Sequence, residues 1–437
     1  MPSILDSHAV QSETKVADRA TVASSSEPGA PRPGLRRARP ALPETCDALI
    51  TQGWGRIAYN IVRSLARRGL KVALGTDEFM GMAVLSRYTS ATFRHPPFAQ
   101  RSAEFIASLR AVFETYSPKV YIPSDQEVMV VARFCDQLSG LGTAIPISPF
   151  STLRQLHKKD LCLRLASSLG LPVPETIAPR NLTEIREFTA EFGLPLVLKR
   201  PSSSSGHGVT FIDEAGLFSA NGAEDFHGWR YGEFLIQQCV GGTGFGVSVL
   251  FNHGKLRARF THKRLREQAP TGGVSTLRVS VRNSLLEEYA ERLLQSVDFH
   301  GVAMVEFRYD ERLKKAWFLE VNPRFWGSLP LAISSGVDFP HLLYRMALEG
   351  DVAPVLDYRL NVLGRWILGD AVALVRRIGS RRAVESPTVG PITARVYDDL
   401  DWSDPLAFLG GFVFSAIKYW KTRNRDPNEA DVSVDRL

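Results

Sequence analysis

Two apolar runs in the second half of the chain carry acids at matched positions: Val302-Ala-Met-Val-Glu306-Phe-Arg308-Tyr-Asp310 and, after a charged turn, Ala316-Trp-Phe-Leu-Glu320-Val-Asn322. Their apolar, aromatic and β-branched content predicts strands over residues 302–309 and 316–321. Folded as a hairpin about Arg312 and Leu313, they set Glu306 opposite Glu320 or its neighbour. The two-residue strand period then puts Glu320 and Asn322 on one face. Two carboxylates about 5 Å apart repel each other, and a hard divalent cation compensates them naturally, so Glu306, Glu320 and Asn322 are the candidate oxygen ligands of Mg²⁺. The competing reading is an exposed hairpin whose acids merely pair with Arg308, Lys314 or Lys315. Arg324 weighs against it, because a planar guanidinium just after Asn322-Pro323 is suited to a carboxylate or phosphate beside such a metal. A cation and a guanidinium together point to phosphoryl chemistry.

Lys199 closes a predicted strand over residues 194–200, directly before Pro201-Ser-Ser-Ser-Ser205-Gly206-His-Gly208. Small residues with free backbone N–H groups can wrap phosphates, and Lys199 would neutralise charge on their oxygens. Alone, the same pattern also describes a solvated edge and a flexible tip.

These residues need a scaffold. From Asp47 the chain alternates a short apolar strand (48–50), a glycine turn, a helix (56–68) and a second strand (71–74). A helix (103–116), a strand (120–123) and a helix (127–138) follow, the pattern of a parallel sheet covered by helices. The turn reads Gly53-Trp-Gly55-Arg56-Ile-Ala58, a GxGxxG/A match with Asp77 at the distance of a ribose-binding acid. Such turns also serve backbone geometry alone. Residues 151–169 read as one amphipathic helix ended by Gly170 and Leu171-Pro172, and 181–192 as another. Strands are then expected at 194–200, 209–212, 234–238, 247–251 and 256–262, with helices at 287–297 and 339–350, an α+β arrangement.

The composition of the 437 residues, 44% hydrophobic and 23% charged, is that of a globular chain. The net charge of +7 is spread along the sequence without an aromatic-interleaved basic motif, so nucleic acid is not an expected partner. Cys46, Cys135, Cys162 and Cys239 are far apart with no CxxC pair, which indicates neither a cysteine zinc site nor a disulfide framework and fits the cytoplasm. Residues 1–45 are rich in Ser, Ala, Pro and Arg and are expected to be a disordered tail. No run is long enough to span a membrane. The apolar stretches 366–377 and 405–420 abut Lys418, Lys421, Arg423 and Arg425, so peripheral membrane contact competes with packing against the body.

The order of these parts resembles the ATP-grasp superfamily, in particular carboxylate-amine ligase-like proteins whose nucleotide domain is like that of carbamoyl-phosphate synthetase. The resemblance spans about residues 47–350, and the segment Glu320-Val-Asn322-Pro-Arg324 is its most specific match. It implies an α/β plus α+β chain: a Rossmann-like pre-ATP-grasp domain (46–149), a two-lobed ATP-grasp domain (150–352) and a partly helical C-terminal extension (353–437). It implies ATP with Mg²⁺ or Mn²⁺, and metal ligands Glu306, Glu320 and Asn322. Lys159 and Lys199 would lie at the nucleotide, with Lys199 and Arg324 catalytic and Ser205, Gly206 and Gly208 in a lid over the phosphates. Gln237, Gln238 and Val240 would form the strand that meets adenine, and Arg264, Ser275, Arg278 and Arg324 would face the second substrate. Two departures stand out: the lid is serine-rich, and Gly241-Gly-Thr-Gly-Phe-Gly246 lacks the acid that usually holds ribose hydroxyls.

The implied activity is an ATP-dependent ligase that activates a carboxylate as an acyl phosphate for an amine or similar nucleophile, with a homodimer as the assembly to test. An ATP-dependent small-molecule kinase would use the same acids without ligation. A nicotinamide oxidoreductase would use the Gly53 turn, and a non-catalytic nucleotide sensor would need neither reaction.

Overall fold

The computed structural model describes residues 46–199, 209–213, 225–269, 272–377 and 391–422. The expected tail and the lid with Ser205, Gly206 and Gly208 lie outside these residues.

The first layer is a parallel sheet ordered β3-β2-β1-β4, built from β1 (Ala48–Ile50), β2 (Val72–Thr76), β3 (Ala91–Arg94) and β4 (Val120–Ile122). Both faces are buried, which is why these strands read as continuous apolar runs. Ala48, Ile50, Val72 and Leu74 face α1 (Arg56–Ala66), while Leu49, Ala73 and Tyr121 face α3 (Ser102–Tyr116). The short α2 (Met82–Leu85) follows β2, and α4 (Glu127–Arg133) follows β4.

The expected single helix over 151–169 is two: α5 (Phe150–His157) and α6 (Lys159–Ser168), separated by Lys158 in an extended conformation. The break turns the second helix so that Lys159, at its first position, is buried against the hairpin that carries the acids. Next comes a small antiparallel sheet ordered β5-β10-β6-β7: β5 (Thr176–Ile177), β6 (Leu196–Lys199), β7 (Val209–Ile212) and β10 (Leu235–Gln238). It is backed by α7 (Leu182–Phe192), whose Ile185 and Phe188 meet Leu196, Leu198 and Ile236 in a core of their own. A two-stranded piece, β8 (Asp225–Phe226) and β9 (Trp229–Arg230), sits beside it.

The largest sheet has seven strands, ordered β15-β14-β11-β12-β13-β16-β17. These are β11 (Thr243–Asn252), β12 (Lys255–Ala269), β13 (Gly272–Val281), β14 (Gly301–Asp310), β15 (Lys315–Asn322), β16 (Val362–Arg365) and β17 (Ala394–Tyr397). One face packs on α5, α6 and α8 (Ser284–Gln295), and the other on α9 (Leu329–Ser335), α10 (Phe339–Glu349) and the first layer. The C-terminal part is therefore more than helical. β16 pairs with β13 and β17 runs parallel to β16, extending the sheet that holds the site. Among the described residues its helices are α11 (Ile367–Arg377) and α12 (Pro405–Thr422), and α12 lies on α2 of the first layer. Among the described residues no helix is long and apolar enough to cross a membrane.

Candidate active site

A cavity of about 420 Å³ lies between the small sheet and the seven-stranded sheet. Lys159, Lys199, Gln237, Gln238, Val240, Arg264, Ser275, Glu306, Glu320, Asn322 and Arg324 all line it. They come from seven elements and the loops after β10 and β15, so the fold gathers them from positions more than 160 residues apart in the chain.

Its acidic wall is set by strand register. Glu306 on β14 pairs with Glu320 on β15, and Met304 with Asn322, with a bulge just beyond Glu306. The turn lies at residues 311–314, around Arg312 and Leu313. Asn322 Nδ2 donates to Glu306 Oε1 at 3.1 Å, and Arg324 Nη2 donates to Asn322 Oδ1 at 3.3 Å. Glu306 Oε2 lies 2.5 Å from Arg264 Nη2, and Glu320 Oε2 lies 3.4 Å from Lys159 Nζ. Burial pushes the Glu306 carboxyl up, Arg264 pulls it back, and the like charge of Glu320 adds to the rise. For Glu320, burial is outweighed by Lys159, Lys199 and Arg264, which hold its carboxyl below the usual range. Among the described residues no three His, Cys, Asp or Glu side chains gather as a metal cluster. A cation at this wall would therefore have two carboxylates and one amide from the protein, an all-oxygen set that fits Mg²⁺ sharing its coordination with phosphate oxygens.

Lys199, at the end of β6, is buried in the cavity wall. Burial pushes its ammonium down to about 8; Glu320 opposes this and Lys159 adds to it. β10 forms the neighbouring edge. Gln237 gives its Nε2 to Thr176 Oγ1 at 2.8 Å, and its side chain is a brace between strands. Gln238 donates its backbone N–H to Glu175 O at 2.9 Å.

At the far end, Arg324 Nε lies 3.1 Å from Asp125 Oδ1, an acid contributed by the first layer, and its Nη1 donates to Phe325 O at 2.8 Å. Arg264 also meets Glu267 at 3.2 Å, and Arg308 meets the other oxygen of Glu267 at 3.7 Å. Ser275 Oγ donates to Leu277 O at 3.1 Å. Arg278 does not line the cavity: its fully buried guanidinium pairs with Asp398, just after β17, and donates to Ser275 O at 2.8 Å. Asp398 also takes Arg56 Nη1 at 3.1 Å. Arg56, from the glycine turn of the first layer, stacks 3.7 Å over the Trp366 ring and reaches the cavity.

Several lining residues were not singled out as site residues. The apolar walls are Val197, Phe211, Met304 and Leu319. Val197 stands two positions before Lys199 and Met304 two before Glu306, so strand alternation was the available signal. His262 lies buried beside Arg264 and is kept neutral by burial and by the charges of Arg264 and Arg278. Gly246 makes room for it, since a Cβ there would sit 2.4 Å from the imidazole. Nothing local in the sequence marks His262, Arg56 or Asp125 for this cavity, because each arrives by tertiary packing.

The glycine turn itself is filled by packing. Trp54 stacks on Phe414 of α12 with ring centroids 5.3 Å apart, and Gly81 lies so close to Trp54 that a Cβ would come within 2.2 Å of its Cα. Gly53 to Ala58 thus has a structural task in joining the first layer to the C-terminal helix.

Comparison with known proteins bears on the fold that holds this cavity. The family described as "ATP-grasp in the biosynthetic pathway with Ter operon" matches residues 230–365. Urea amidolyase of Saccharomyces cerevisiae is 23% identical over 337 residues, covering 71% of this chain and 18% of that protein. The carbamoyl phosphate synthase large chain of Thermoanaerobacter pseudethanolicus is 20% identical over 263 residues, covering 53% of this chain and 24% of that protein. The chain thus spans a quarter or less of these curated relatives. In three dimensions, a biotin carboxylase from Campylobacter jejuni, solved in a complex with β,γ-ATP, superposes with a TM-score of 0.58 at 16% identity, covering 73% of this chain and 75% of that one. With the fold and the family match over residues 230–365 in agreement, that part of the chain carries an ATP-grasp domain.

Proposed function

We propose that the protein is an ATP- and Mg²⁺-dependent ligase that converts a carboxylate to an acyl phosphate and delivers it to an amine or similar nucleophile. The observation that carries this reading is the meeting of Glu306, Glu320 and Asn322 with Lys159, Lys199 and Arg324 around one cavity. The carbamoyl phosphate synthase and biotin carboxylase likenesses support it. In this reading residues 46–149 are the pre-ATP-grasp domain, and the four free cysteines suit a cytoplasmic protein.

A carboxylate attacking a phosphate brings two sets of negative oxygens together, and the protein's task is to hold them and offset their charge. Arg324 is suited to this because Asp125 and Asn322 fix its guanidinium plane before substrate arrives. Lys199 and Lys159 lie beside Glu320, and the lysines would lean toward phosphate oxygens on the same wall. A divalent cation held by Glu306, Glu320 and Asn322 would supply further charge neutralisation. Val197, Phe211, Met304 and Leu319 supply the apolar walls that a flat base requires and that keep water from a reactive acyl phosphate. The buried acceptor end, with Arg264, Ser275 and Arg56, suits an anionic group on the second substrate.

The test is Mg²⁺-dependent ATP turnover against pooled carboxylates and amines, reading ADP and phosphate, with Glu320→Ala in parallel. Turnover that needs both pools and is lost in the variant supports a ligase. ADP formed with one hydroxyl compound and without phosphate release would make the protein a kinase, and NADH binding without ATP binding would overturn the reading.

A further inference from the structure

We propose that α12 is a membrane-docking helix that seats the protein on an anionic lipid surface. One face of α12 is occupied by the body of the protein: Phe414 stacks on Trp54, and Gly410 lies against the backbone of Gly81. The opposite face carries Leu406, Leu409, Phe412, Ile417 and Trp420, all exposed, with Trp402 just before the helix 83% exposed and Trp420 82% exposed. At 100° per residue these positions fall within one arc, and every exposed residue described on the helix is apolar. A continuous apolar stripe of this kind on a water-facing surface marks a docking site.

Its size and its neighbours identify the occupant. The helix has 18 residues, hence a length of about 27 Å, and a stripe about 10 Å wide along it offers on the order of 300 Å². That is well below the roughly 800 Å² per partner of a stable protein interface, but it is ample for a helix lying in the plane of a bilayer, where only the apolar arc must be covered. Tryptophans at both ends match the level of the lipid headgroups. In sequence, residues 418–425 carry Lys418, Lys421, Arg423 and Arg425, the charge complement of an anionic surface. Lys418 Nζ lies 2.6 Å from Glu78 Oε1, which ties the end of the helix to the loop that carries Phe79, 82% exposed.

The experiment is flotation of the full-length protein with phosphatidylcholine vesicles and with vesicles containing phosphatidylglycerol, compared with the Leu409→Glu/Phe412→Glu double variant. The wild type is expected to float with the phosphatidylglycerol vesicles. The double variant should float at least tenfold less while keeping the wild-type circular dichroism spectrum and unfolding temperature. Failure of the wild type to float with either vesicle overturns the proposal. So does a wild-type dimer in light scattering that the double variant converts to monomer without any vesicle binding, which would make the occupant a second copy.

Discussion

Arg264 Nη2 lies 2.5 Å from Glu306 Oε2, so the acid that would take a metal on β14 is already neutralised by a guanidinium from β12. The arrangement answers a physical problem posed by the register. Two buried glutamates paired across a hairpin need positive charge on both sides, and Arg264 supplies it for Glu306 as Lys159 does for Glu320.

Removing that charge should make the acids more demanding of a cation. Arg264→Ala leaves Glu306 and Glu267 without their nearest partner and is expected to cost about 2–4 kcal/mol of stability. Added Mg²⁺ should restore more of the unfolding temperature in this variant than in the wild type, and EDTA should cancel the gain. Equal Mg²⁺ effects in the two proteins would show that Glu306 is not at the metal.

The acids themselves should be far less dispensable for turnover than for folding. Glu306→Gln and Glu320→Gln keep size and hydrogen-bonding capacity and should lower ATP turnover by about a hundredfold or more. Urea unfolding should shift by no more than about 1–2 kcal/mol, because each change also relieves a like-charge contact. Retention of wild-type turnover would remove these residues from the reaction.

Lys199 makes nucleotide binding sensitive to mild alkali. Its ammonium is pushed down to about 8 by burial, so it is charged at pH 7 and loses its proton as pH rises through that value. ATP affinity should fall between about pH 7 and 9, and Lys199→Arg, always charged, should flatten the profile. Without nucleotide the sign reverses. Above about pH 8 the unfolded chain still binds the proton that the native state releases, so this group makes folding more favourable with rising pH until the ordinary lysine range is reached. Identical ATP-binding profiles for wild type and Lys199→Arg would exclude Lys199 as the group responsible.

The contact between Arg56 and Gly327 offers a change that acts on the cavity through a flexible side chain. A Cβ at position 327 would lie 2.3 Å from the Arg56 guanidinium, and the flexible end of that side chain can move. Gly327→Ala should therefore displace Arg56 from Asp398 and Trp366, lowering the unfolding temperature modestly while raising the second substrate's KM several-fold. An unchanged KM would mean that Arg56 does not meet substrate.

Arg278 and Asp398 form the pair whose loss should be felt most in stability. Both side chains are fully buried, and Arg278→Ala is expected to cost about 3–5 kcal/mol, since Asp398 would lose its buried partner and keep Arg56, at 3.1 Å, among the described residues. Chemical denaturation measures this directly. A loss under about 1 kcal/mol would contradict the buried pair.

Local sequence determined a great deal here. The alternation of apolar residues marked the hairpin, and its charged turn set the register that places Glu306 against Glu320. The run of short apolar strands and helices from Asp47 marked the first layer. These features follow from neighbours along the chain, through the two-residue strand period and the 3.6-residue helix period. What the chain did not disclose came from distance. The break at Lys158, the two strands that residues 362–397 add to the sheet, the burial of Arg278 on Asp398, and the arrival of Arg56, Asp125 and His262 at one cavity are set by packing between segments far apart in sequence. Charge types and spacing thus pointed to Glu306, Glu320 and Lys199 as candidates, and the family resemblance to Lys159. Only tertiary structure decided which cations neutralise which acids, because that depends on burial and on distances of a few ångströms between residues that no local pattern links.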